Sequence, residues 1–127
     1  MQVKVLQVME GTEGWVRFAC DVGEGLARWH GAAPAIHAVV DVELDIAAPL
    51  HVQAVHRVGE GAESLACDGR CNHITATLLA REPRLAVLRL GGCILFGELA
   101  DEALIPPALP CLIQWLGPPL DAYPTGI

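Results

Sequence analysis

Along most of the chain, apolar and polar residues alternate one for one. The clearest case is IHAVVDVELDI, residues 36–46, where Ala38, Val40, Val42, Leu44 and Ile46 share one face. His37, Val39, Asp41, Glu43 and Asp45 share the other. A period of two predicts a β-strand with one face buried and the other in water. Shorter runs repeat the pattern at 3–9, 15–20, 26–31, 50–58, 72–80, 85–90, 93–99 and 111–116. Turn-forming clusters lie between them: EGTEG (10–14), DVGEG (21–25), GEGAE (59–63), DGR (68–70) and GG (91–92). Many short strands joined by such turns predict an all-β sandwich or barrel.

The fold expected is therefore all-β: a single antiparallel barrel of roughly seven to nine strands, OB-like or closed. It would occupy residues 1–127 as a single β-barrel domain, since no repeat, linker or second core is visible. One short helix is expected at LADEALI, 99–105, with acids in its first turn and Pro106 and Pro107 stopping it. The closing GPPLDAYPTGI is too rich in proline for a central strand and is expected along the surface or an edge.

From Asn72 to Trp115 the order of patterns is HITATLLA, then the hairpin LAVLRLGGCILFGEL, then a short helical piece and another strand. In that order this third of the chain resembles part of an OB-fold. The resemblance implies a small barrel, and OB-folds commonly bind oligonucleotides or oligosaccharides on one sheet face. No diagnostic motif accompanies it, and fold analogy lends little to function.

Composition changes the picture mainly through charge. Of 127 residues, 53% are hydrophobic and 18% charged, enough for a well-filled core. Eight basic residues face fifteen acids, for a formal net charge of −7. Such a chain repels phosphate backbones and favours basic partners, so nucleic acid is a disfavoured ligand. The longest uncharged run before Asp121 holds five prolines (106, 107, 110, 118 and 119), which exclude a membrane-spanning helix. The opening MQVKVLQVMEGTEG carries acids from Glu10 onward and has no long apolar core before a small-residue cleavage site. It does not read as a secretion signal. Five cysteines, an odd number, then predict reduced thiols in a bacterial cytoplasm.

The stretch CDGRCNH, 67–73, is the one candidate for metal chemistry. If DGR is a three-residue hairpin loop, Cys67 and Cys71 oppose each other, with Cys71 and His73 on one face. Zinc accepts sulfur and imidazole but wants four ligands, and no second cluster is present. The plainer reading is a tight Asp-Gly turn flanked by small apolar thiols, so no metal or cofactor is expected. Ser64 is the only serine, and no nucleophile elbow or phosphate loop occurs.

What is left points to binding. Asp41, Glu43 and Asp45 recur about 6.5–7 Å apart on the outer face of the best strand. They are candidate contacts for a basic protein, as in an immunity-type inhibitor of a basic toxin or enzyme. The alternative is a barrel that encloses a small apolar ligand, with Trp29, His30 and Trp115 as lining residues. A third possibility is an OB-type nucleic-acid binder, against which the charge stands. No catalytic residue is assigned, and oligomeric state is left open.

Overall fold

The computed structural model describes residues 1–11, 14–57, 61–100 and 108–125, the side chains of 53–57 excepted. Eleven strands follow one another: β1 (Gln2–Val8), β2 (Trp15–Cys20), β3 (Gly23–Trp29), β4 (Val39–Asp45), β5 (Val52–Arg57), β6 (Ser64–Cys67), β7 (Asn72–Arg81), β8 (Leu85–Leu90), β9 (Cys93–Glu98), β10 (Cys111–Gly117) and β11 (Leu120–Pro124). Among the described residues there is no helix. The helix expected over 99–105 lies outside them from residue 101 onward, and Leu99 forms an isolated bridge to Leu50. No described helix is long and apolar enough to cross a membrane.

The fold is all-β, as the alternation predicts, but the barrel is smaller and less uniform than expected. Five strands close a ring, β1–β2–β3–β11–β4 and back to β1. Four of its pairings are antiparallel and one, β3 with β11, is parallel. The result is a closed five-strand barrel of mixed strand orientation. It is built from residues 2–45 and 120–124, not from the 72–115 stretch whose pattern suggested it. That stretch forms most of a second sheet, in which β7 pairs β6, β8 and β10, β5 pairs β10 and β9 pairs β8.

The strand that completes the ring is the one expected at an edge. β11 pairs β4 on one side and β3 on the other, with Leu120 and Ala122 buried. Proline does not prevent this, because Pro118 and Pro119 precede the strand and Pro124 ends it. No ladder donor is lost from its interior.

Inside the ring, Val3, Val5, Val16, Phe18, Val42 and Leu44 are buried, and they belong to one continuous cluster with Leu65, Ile74, Leu78, Leu88, Leu95 and Trp115 of the second sheet. Each such side chain stabilises the fold by about 1.5–3 kcal/mol when fully buried. The two halves share a core yet are poorly joined by strand pairing. β3 and β6 meet through one parallel bridge, Gly23 to Leu65. A Cβ on Gly23 would lie 1.9 Å from the Leu65 carbonyl oxygen, so only glycine permits that approach.

Beyond the bridge, the Asn72 side chain replaces a strand. The Leu26 N–H donates to Asn72 Oδ1 at 2.8 Å, and Asn72 Nδ2 donates to the Leu26 carbonyl at 2.9 Å. Both residues are 0% exposed, so water cannot substitute for either bond. A second polar tie holds the connection before β6. Glu63 accepts from Thr77 Oγ1, from Arg89 Nε at 2.9 Å and from the Gly91 N–H at 2.8 Å. Burial pushes its carboxyl up, but these three hydrogen bonds and the Arg89 charge outweigh it and hold it below the usual glutamate range.

Two outcomes are expected. Asn72→Leu orphans the Leu26 N–H and C=O, each at a cost of about 1–3 kcal/mol, read as a lower urea midpoint. A loss below about 1 kcal/mol would show that the clasp does not join the halves. Glu63→Ala should cost about 1–3 kcal/mol at neutral pH. Because the folded-state value is depressed, that stabilisation is present above the ordinary glutamate range and disappears as pH falls through the folded value. Wild type and variant should therefore converge in acid, and a difference independent of pH would contradict the assignment.

Candidate functional site

β4 carries the acidic ladder because its alternation is regular. Val42 and Leu44 point into the ring, while Val39, Asp41, Glu43 and Asp45 are exposed. The strand starts at Val39, three residues later than the alternation suggests, because Ile36 and His37 form a turn with His37 at φ 71°.

Cross-strand register decides what surrounds the acids. Gln2 of β1 lies opposite Asp41, while Tyr123 and Asp121 of β11 lie opposite Glu43 and Asp45. Directly opposed residues share a face, so Tyr123 and Asp121 belong to the acidic surface. His30 joins it from the end of β3. Its Nε2 is 2.8 Å from Asp121 Oδ1, and its ring stacks on Tyr123 with centroids 4.4 Å apart. One candidate ligand residue thus sits beside the candidate protein-binding acids. Tyr123 and Asp121 carry no signal in the sequence, lying in the segment expected at an edge.

Asp41 Oδ1 is 3.2 Å from the Met1 amino nitrogen. Among the described residues, no cation lies within ion-pair distance of Glu43 or Asp45. Beyond those two, the surface turns into a groove of about 330 Å³ between β4 and β9, lined by Met1, Val42–Asp45, Gly92–Ile94 and Phe96. Ile94 and Phe96 are large apolar side chains left 47% and 55% exposed on its far wall. Cys93 lies at the groove with 8% exposure. Burial pushes its thiol up, and the Asp45 and Glu43 charges push it further, partly offset by a Leu44 amide hydrogen bond and the amino terminus.

The other candidate residues disperse. Trp29 is buried in β3, its Nε1 donating to the Ala32 carbonyl at 3.1 Å, and Trp115 is buried in β10. A smaller hollow of about 280 Å³ touches Trp115 along with His73 and Gln114. Neither it nor the groove touches Trp29 or His30.

The expected opposition of Cys67 and Cys71 does not occur. Cys67 pairs with Asn72 and Ala66 with His73, which leaves Cys71 inside a four-residue loop. The Asp68 side chain causes this. Its Oδ1 accepts from the Arg70 N–H at 3.0 Å and the Cys71 N–H at 2.9 Å, drawing Cys71 into the turn. Those bonds also hold the Asp68 carboxyl below its usual range. His73 turns to Asp68, with Nε2 3.6 Å from Oδ2. All five cysteines are free thiols. Among the described residues, no three His, Cys, Asp or Glu side chains converge as a metal site.

Comparison of the chain with family models, curated proteins and solved structures gives no match.

The Cys93 thiol offers a check on this electrostatic picture. Glu43→Gln with Asp45→Asn removes two charges that oppose thiolate formation, so Cys93 should alkylate about two- to fivefold faster at pH 8. Peptide mass spectrometry after timed iodoacetamide treatment reads the rate, and an unchanged rate would separate the carboxylates from the thiol.

Proposed function

We propose that this protein is a non-catalytic protein-binding module whose partner presents a basic surface, of the kind an immunity-type inhibitor of a basic toxin or enzyme would use. One observation carries the reading: Glu43 and Asp45 stand exposed on a regular strand with no cation to balance them among the described residues. A net charge of −7 extends the same field over the molecule. Such a field speeds encounter with a basic partner and selects against acidic ones. Tyr123 and His30 beside the acids offer flat contact area of the type that supplies affinity once encounter has occurred.

The other readings have less support. The ring interior is filled by buried aliphatic side chains and Phe18, which weighs against a small molecule inside it. Five-stranded Greek-key barrels can bind oligonucleotides. Here the best-formed outer sheet face carries carboxylates, which repel phosphate. His30 with Asp121 has the look of an oriented general base. No serine, threonine or cysteine side chain among the described residues bonds to its ring, so no described nucleophile supports that reading.

The test is capture of partners from native extract at low salt by tagged wild-type protein and by the triple variant Asp41→Asn, Glu43→Gln, Asp45→Asn. The reading expects a stoichiometric basic protein on wild type that elutes as salt rises. The triple variant should associate with it at least tenfold more slowly and with a flatter salt dependence. Equal association by both proteins would remove the acidic strand from the interface. Recovery of nucleic acid in place of protein would favour the OB-type alternative.

A further inference from the structure

The groove between β4 and β9 exists because two strands lie side by side without pairing. Among the described strands, β9 pairs β8 alone, and β4 pairs β1 and β11. On the β1 side of β4, the Met1 carbonyl accepts from the Val42 N–H at 2.8 Å. Two residues further along β4, the Leu44 backbone points to the same edge, where its amide hydrogen-bonds the Cys93 thiol of β9 and no ladder forms. On the opposite wall, the Leu50 N–H donates to the Glu98 carbonyl at 2.7 Å, on the edge of β9 away from β8. By the same alternation, Phe96 and Ile94 turn their backbone groups into the groove. The Cys93 thiol blocks part of the floor through a weak contact to the Ile94 carbonyl at 3.7 Å.

Gly97 sets how closely the two walls can come. A Cβ there would lie 2.9 Å from Ile46 Cδ1 and 3.0 Å from Leu50 Cδ1. The walls differ in chemistry: carboxylates of Glu43 and Asp45 on one, half-exposed Ile94 and Phe96 on the other. An edge strand with exposed apolar side chains is normally blunted by charge or cover; among the described residues, Ile94 and Phe96 stay 47% and 55% exposed.

Accepting the basic-partner reading above, we infer that this groove is the anchor point of the interface and receives an arginine side chain from an extended basic segment of the partner. Arginine fits both walls at once. Its guanidinium forks onto carboxylates, while its planar face and stem lie against an aromatic ring and apolar surface. Lysine offers a point charge and satisfies the acidic wall alone. The groove volume is at the small end for ligand sites, suited to one long side chain and not to a whole cofactor.

A fluorescein-labelled peptide Gly-Arg-Val-Arg-Val-Arg-Gly and its lysine counterpart, followed by fluorescence anisotropy, test this directly. Wild type should bind the arginine peptide at least fivefold more tightly than the lysine one. Glu43→Gln with Asp45→Asn should weaken binding at least tenfold and flatten its salt dependence. Ile94→Ser with Phe96→Ser should weaken it at least fivefold with the salt dependence unchanged, and Phe96→Lys should abolish it by placing a cation in the groove. Both apolar positions are exposed, so these variants should keep the wild-type melting temperature. If only the acidic variant weakens binding, the groove inference falls and the acidic-face reading stands. If neither peptide binds, or no variant matters, both fall.

Discussion

The alignment of the two halves of this molecule depends on a buried amide beside one parallel strand bridge. The ring and the second sheet share a hydrophobic core, but a shared core does not fix how two sheets are aligned. Directional bonds do that, and across this junction they come from one parallel bridge and the Asn72 clasp on Leu26. An asparagine side chain carries the donor and acceptor of a peptide group. It can therefore stand in for one more residue of strand where β6 has diverged from β3. Because the site is fully buried, its two bonds exclude alternative alignments more strongly than their net energy suggests.

Fixing that junction fixes the groove on the other side. The second sheet leaves the ring at β3, runs through β6, β7, β8 and β9, and returns to lie beside β4. It comes back close enough for Gly97 to pack under Ile46 and Leu50, yet no ladder forms. The unpaired seam is thus a product of where the sheet starts and of how many strands it contains. It places an acidic strand against an apolar one. The proposed binding surface is then a property of the junction between halves, with Glu43 and Asp45 contributed by one and Ile94 and Phe96 by the other.

Much of this was legible in the sequence wherever a signal is local. β4 could be read almost residue by residue, because a half-buried strand writes its burial directly as alternation. Nine of the strands were visible for the same reason, and the outward direction of Asp41, Glu43 and Asp45 followed from them. What failed were non-local features. Prolines around β11 suggested an edge, but their positions outside the strand interior left it free to close the ring. The loop at 68–71 looked three residues long until the Asp68 side chain drew Cys71 into it. The OB-like order of patterns lies in 72–115, whereas ring closure joins residues 2–45 to a strand more than seventy residues later. The pairing of His30 with Asp121 spans 91 positions. No periodicity reports a contact of that kind.

The most direct test of the account is a 15N-resolved NMR titration with the arginine peptide, mapping which backbone amides respond. The account predicts shifts concentrated at Glu43, Leu44, Asp45, Cys93, Ile94 and Phe96, saturating together along one binding curve. Shifts spread over the whole acidic surface without saturation, or centred on the 68–71 loop and the Trp115 hollow, would contradict it.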